Sequence, residues 1–138
     1  PFIIEPSGGV DRCVLATLVD AYNEEKVKDE KRVVMKFHRN IAPIKVAVLP
    51  LLRNRPEIVE LAQKISKDLK QSIVTVYDDT GSIGKLYRRQ DEVGTMYCVT
   101  VDVQSLEDQQ VTVRDRDSML QERISVDALK SYLVKKLS

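Results

Sequence analysis

The sequence predicts an α/β protein: a mixed, mostly parallel sheet of about five strands flanked by helices, preceded by a strand–helix remnant of a larger unit. Three observations predict it. From Lys45 onward, short β-branched runs alternate with segments of helical period, the pattern of parallel strands joined by helical crossovers. The last two strands that can be placed are separated by too few residues for such a crossover, so that pair is antiparallel. The stretch before Pro43 breaks the pattern with a Gly-rich turn, a helix apolar over most of its surface and a run of charge.

Phe2–Ile4 reads as the end of a strand, and Pro6-Ser7-Gly8-Gly9 then forbids regular structure while letting the backbone approach a neighbour closely. Asp11 is placed to cap a helix from Arg12 to about Tyr22. Apolar residues from Cys13 to Ala21 cover most of that helix, so its partner surface is expected in a longer polypeptide from which this chain is a piece. Asn23–Lys31 reads as a mobile charged linker and Arg32–Phe37 as a short edge strand. Pro43 opens a second unit. There, Lys45–Leu49 is a strand, and Pro56 suits the first turn of a helix with Ile58, Leu61, Ala62, Ile65 and Leu69 at helical spacing. Ile73–Tyr77 is a second strand, and Asp78–Gly81 is a turn. Ser82 can cap a short helix with Ile83, Leu86 and Tyr87 inward. The chain turns at Gly94 into a strand over Met96–Val101. A polar connection, Asp102–Gln110, leads to a strand over Gln110–Arg114 that carries Arg114 to Asp117 outward. Ser125 caps a last helix with Val126, Leu129, Leu133 and Leu137 on one face.

At 138 residues the chain suits one domain with a real core, and its 22 basic against 21 acidic residues leave a net charge of +1. No global field draws it to nucleic acid or membrane, so any such binding must use a local patch. No apolar run approaches the roughly 18 residues of a membrane span. Cys13 and Cys98 lie far apart in apolar runs, and with the single His38 they make no standard zinc site. They read as small buried hydrophobes suited to a reducing cytosol. Ser7-Gly8-Gly9 lacks the Lys-Ser/Thr ending of a phosphate loop, and one histidine in a linker leaves no Ser/His/Asp or Cys/His set. From the residues alone, Lys85–Asp117 is either a solvated charged face or a surface whose arginines and carboxylates match a flat polar ligand such as an exposed base.

The opening run PFIIEPSGGVDR (residues 1–12) resembles the third signature motif of class II aminoacyl-tRNA synthetases, and its Ile4-Glu5-Pro6-Ser7 lead-in resembles the homodimeric glycyl-tRNA synthetases. Further on, Ala42–Leu51, Asp78–Lys85, Tyr87–Thr95, Cys98–Asp102 and Val111–Met119 resemble the anticodon-binding domain of that family. The Tyr-Arg-Arg-Gln-Asp-Glu-Val-Gly-Thr run is the most specific of these, and the resemblance covers nearly the whole chain apart from the charged linker. It implies that residues 1–40 are the end of the catalytic domain with a linker, and residues 41–138 the anticodon-binding domain. It implies a cytoplasmic, homodimeric parent that attaches glycine to tRNA with ATP and Mg2+. The fragment alone is expected to be inactive, to bind no cofactor or metal, and to touch no membrane.

By position, the resemblance puts Arg12 against ATP, Glu5 against the ammonium of glycine, and Ser7 in the wall of that small pocket. The implied anticodon-binding residues are Arg89, Asp91, Glu92, Glu107, Arg114 and Arg116. Glycine anticodons end in two cytosines, and an amino donor beside two acceptors is matched by a carboxylate plus an arginine. Arg114 and Arg116 share one strand face, which leaves open whether they face RNA or pair internally with Asp91 or Glu92. Arg88 and Arg89 point about 100° apart, which leaves one of them free to be structural; Tyr87 either stacks on a base or packs in the core. One rival reading is an accessory or regulatory RNA/DNA-binding module that reuses the fold without aminoacylation. Glu5-Pro6-Ser7 and Asp11-Arg12, which only synthesis needs, argue against it. A second rival, a flavodoxin-like enzyme, would need a phosphate loop that Pro50–Arg55 does not supply, although its arginines could meet a phosphate.

Overall fold

The computed structural model describes residues 2–138. After α1 (Val10–Ala21) come a hairpin, β1 (Tyr22–Val27) and β2 (Glu30–Met35), then β3 (Val46–Pro50), α2 (Pro56–Leu69), β4 (Thr75–Tyr77) and α3 (Ile83–Val93). The chain finishes with β5 (Tyr97–Val101), α4 (Val103–Asp108), β6 (Gln110–Asp115), β7 (Gln121–Ser125) and α5 (Val126–Leu137). The five-stranded sheet has the order β4-β3-β5-β6-β7. β3 runs parallel to both β4 and β5, whereas β5–β6 and β6–β7 are antiparallel. Half of the pairings are therefore parallel, rather than most.

Strand alternation sorts the core. Val46, Val48, Val99 and Val101 face Ile58, Ile65 and Leu69 of α2 and Leu129 and Leu133 of α5. Ala47, Leu49 and Cys98 face the other way, toward Leu86 of α3. Both faces of β3 and β5 are thus covered, which is why these two strands read as unbroken apolar runs. The chain leaves β3 through α2 to reach β4 at one edge, then crosses back through α3 to β5 on the other side of β3. This reversal opens a crevice at the carboxyl ends of the parallel strands, the usual ligand position in open α/β sheets.

The structure differs from the sequence reading in several places. Asn23–Lys31 is not a mobile linker but most of a β-hairpin, paired from Tyr22↔Met35 to Val27↔Glu30. Its turn residues Lys28 and Asp29 have φ of 48° and 66°, a left-handed turn without the glycine that usually announces one. The polar connection after Asp102 contains α4, closed by a reciprocal capping box between Asp102 and Ser105. The polar run Gln121–Ser125 is the fifth strand. Phe2–Ile4 form no strand and are exposed, and Pro1 of the opening motif lies outside the described residues. Gly9, not Asp11, occupies the N-cap of α1. Cys98 is buried as expected, but Cys13 is exposed. Ser125 does cap α5, accepting from the Ala128 N–H.

Gly94 has the one glycine conformation that matters here. It ends α3 at φ 83°, and a Cβ there would stand 2.5 Å from Cδ2 of Phe37 and 2.7 Å from the Met35 carbonyl oxygen. Only a bare backbone lets the segment leaving β2 pass against the end of α3.

Candidate nucleic-acid interface

Two polar surfaces flank α3. The first is the crevice at the carboxyl ends of β3 and β4, with a volume of about 720 Å³. Leu51 and Leu52 form an apolar ledge; Arg53, Lys85 and Arg89 supply positive charge, and no carboxylate lines it. Arg89 reaches back along its helix to donate to Asp78 (2.5 Å) and to the Thr80 hydroxyl (2.7 Å), yet its side chain remains about half exposed. Burial pushes the Asp78 carboxyl up, but its bonds from Thr80 and Arg89 outweigh that and hold it below its ordinary value. Asp78 stays an anion and, with Thr80, orients the Arg89 guanidinium at the crevice. A half-exposed guanidinium on an apolar ledge can stack on a base face, donate to its edge, or meet a phosphate.

The second surface lies on the other flank of α3 and is organised by ion pairs. Asp91 is buried, and its carboxylate accepts from both terminal nitrogens of Arg114 (2.9 and 3.1 Å) and from Nε of Arg32 (2.9 Å). Arg32 also donates to Glu25 (2.8 Å) and to the Arg116 carbonyl (2.5 Å), so one side chain ties the hairpin to α3 and to the end of β6. Arg114 lies over the ring of Tyr87, 4.9 Å from its centroid, and the Tyr87 hydroxyl meets that of Thr100 at 2.6 Å. Burial pushes the Tyr87 phenol up, so it stays protonated. Burial also pushes the Asp91 carboxyl up, but hydrogen bonds and charge from Arg32 and Arg114 prevail and hold it below its ordinary value. Arg116 is 3% exposed and donates to the Phe37 and Gly94 carbonyls and to Asp117.

The six expected readers are therefore not brought together. Arg114 and Arg116 do not face outward: the alternative left open by the strand alternation is resolved by internal pairing, and Asp91 is the carboxylate that takes Arg114. Burying either guanidinium without such partners would cost several kcal/mol. Arg89 lines the crevice. Glu107 is exposed on α4, which leaves the carboxyl end of β5, whereas Glu92 is exposed near the opposite end of that strand. Glu5, Ser7 and Arg12 are all exposed, the first two in irregular backbone and the third in the first turn of α1. Sequence reasoning did not nominate Arg53 or Lys85 as readers. The signal for both was available, since one follows the end of the first parallel strand and the other lies in the first turn of the crossover helix. Arg32 gave no signal at all, being one basic residue in a highly charged run.

Among the described residues, no cluster of three or more His, Cys, Asp and Glu side chains is placed to hold a metal ion, and no helix is long and apolar enough to cross a membrane. A mixed α/β sheet whose point of chain reversal opens a crevice lined by cations defines a class of open α/β domain that seats its ligands at the carboxyl ends of the parallel strands. The family model described as "Anticodon binding domain" matches residues 45–136, and the chain belongs to that family.

Three curated relatives carry the likeness beyond that span. The glycine–tRNA ligase of Caldanaerobacter subterraneus subsp. tengcongensis is 55% identical over 137 residues, 99% of this chain and 29% of the relative. That of Clostridium acetobutylicum is 51% identical, over 99% of this chain and 29% of the relative. That of Thermobifida fusca is 50% identical, over 100% of this chain and 31% of the relative. The chain thus spans about three-tenths of the length of the relatives it matches. Among solved structures, a prolyl-tRNA synthetase from Cryptosporidium parvum superposes with a TM-score of 0.68 at 22% identity, over 76% of this chain and 22% of that one. The RNA-binding domain of threonyl-tRNA synthetase from Cryptosporidium parvum Iowa II does so with a TM-score of 0.60 at 23% identity, over 67% of this chain and 23% of that one. These two establish the fold.

Proposed function

We propose that this chain is the C-terminal part of a glycine–tRNA ligase and that its crevice takes the anticodon loop of glycine tRNA. The observation that carries the reading is the crevice itself: Arg53, Lys85 and Arg89 without a lining carboxylate, in a chain with a net charge of only +1. The likeness to glycine–tRNA ligases over 99–100% of this chain supports the choice of RNA.

Arg89 is the base reader, held in place by Asp78, and Arg53 and Lys85 are phosphate contacts. Glu107 and Glu92 are carboxylates able to accept from a cytosine amino group, and Glu107 lies at the same end of the sheet as the crevice. Asp91, Arg114 and Arg116 belong to this function as positioning residues that hold α3 and so aim Arg89. In the longer polypeptide, Glu5 meets the glycine ammonium, Ser7 lines that pocket and Arg12 packs on ATP, which reacts as its Mg2+ complex. That polypeptide is a homodimer that joins glycine to tRNA. Residues 1–40 are the end of its catalytic part with a linker and residues 41–138 its anticodon-binding part, and Arg32 ties the hairpin of the first to the second.

The test is binding of this chain to a glycine-tRNA anticodon stem-loop and to the same loop with both cytosines replaced, at several salt concentrations. The native loop should bind more tightly, and Arg89→Ala should lower that preference. Equal binding of the two loops by the unaltered chain would end the reading.

A further inference from the structure

The hairpin was the largest departure from the sequence reading, and it builds a second charged surface. Between it and α3 lies a cleft of about 410 Å³. Gly84, Tyr87 and Arg88 line this cleft, whereas Ser82, Lys85 and Arg89 line the crevice, so the two are opposite flanks of the same helix. Five cations line the cleft, Lys28, Lys31, Arg32, Arg88 and Arg114, against the carboxylates of Glu30 and Asp91. Glu24 and Glu25, just outside the lining, pair with Lys31 and Arg32, so five cations meet four carboxylates and the local excess is one positive charge.

Arg32 and Arg114 are committed to Asp91, which leaves Lys28, Lys31 and Arg88 at the rim. Arg88 pairs with Glu30 and Lys31 with Glu24, both at exposed positions. Exposed pairs contribute little and exchange readily for a phosphate. The rim is also held in shape. Lys28 and Asp29 form the left-handed turn that closes the hairpin, and Arg32 anchors the strand beneath them. The hairpin lies outside residues 45–136, the span that the family model matches.

We propose that this cleft binds the phosphodiester backbone of the RNA whose loop occupies the crevice, with Lys28 and Arg88 as phosphate contacts and the RNA straddling the first half of α3. The proposal rests on the reading of the crevice as an anticodon-loop site. Phosphate contacts carry no base information, which separates their expected behaviour from that of Arg89.

The test uses the chain with the two stem-loops described above, titrated across salt. Lys28→Asn removes the charge while tolerating the left-handed backbone, and Arg88→Ala removes one member of an exposed pair, so both variants should fold. Each should weaken both loops equally, by about fivefold near ~0.1 M salt, and reduce the salt slope by about 0.7. Lys67→Ala, on the exposed side of α2, should change neither. If both cleft variants bind with the affinity and salt slope of the unaltered chain, the proposal is wrong, and a preserved loop preference would leave the crevice reading standing. A changed preference between loops in Arg88→Ala would also overturn it, because Arg88 would then read bases. If the unaltered chain shows no preference, the crevice reading fails, and an equal loss in the two variants would still support a backbone site in the cleft.

Discussion

Replacing Asp91 by asparagine removes the one negative charge shared by two buried guanidiniums. Asp91 is 4% exposed, and Arg32 and Arg114 are 7% and 8% exposed. The three hydrogen bonds to its carboxylate are 2.9 to 3.1 Å long. Asparagine keeps one acceptor but turns an NH2 group toward guanidinium donors. Arg32 retains Glu25 and a backbone carbonyl, whereas Arg114 keeps only the ring of Tyr87 as an electrostatic partner. Removing one side of a buried pair costs about 3–5 kcal/mol, and the partners left to Arg32 place this case near 3 kcal/mol. For a domain of this size that is roughly 10 °C in Tm.

Urea and thermal unfolding at pH 7 measure that loss, and a pH series tests its cause. The folded-state pKa of Asp91 is depressed, so its contribution is present above the unfolded carboxylate value near ~4 and is lost as pH falls through the folded value. The difference between the two proteins should therefore narrow below about pH 4. A loss under about 1 kcal/mol at pH 7, or a difference that does not narrow in acid, would refute the argument that charge rather than shape holds this site.

Gly94→Ala should destabilise by about 2–4 kcal/mol, from the left-handed φ and from contacts of 2.5 and 2.7 Å with Phe37 and the Met35 carbonyl; a change within about 0.5 kcal/mol would contradict it. Native chain should react with a thiol reagent at Cys13 alone. Burial pushes the Cys98 thiol up to about 12, so it should react only on unfolding, and prompt labelling of both would show that β5 opens readily.

Much of the second unit was legible because its signals are local. Lys45–Leu49 and Met96–Val101 are apolar on both faces, and the residues of α2 repeat at helical spacing. The hairpin was not legible for an equally physical reason. β1 buries no side chain fully, β2 buries only Arg32 and Val34, and its turn uses Lys-Asp rather than a glycine. β7 was hidden similarly, since none of its residues is fully buried. For the candidate site, spacing put Arg114 and Arg116 on one face but could not say what covers that face. Their fate depended on Asp91 and on the close pass of Phe37, contacts between positions distant in sequence. Arg89 and Glu107 were legible as charged residues, but only the chain reversal at β3 distinguishes the end of the sheet at which a ligand gathers.

The Arg32–Asp91–Arg114 triad also constrains how such a sequence can drift. Its members lie 59 and 23 residues apart in the chain; loss of Asp91 would strand Arg114 in the interior, whereas loss of either arginine leaves Asp91 the other. Over time Asp91 should therefore be the last of the three to change while Arg114 is kept, and the arginines should be the freer positions. A hairpin that looks expendable on composition is thus tied, through one arginine, to the five-stranded unit beneath it.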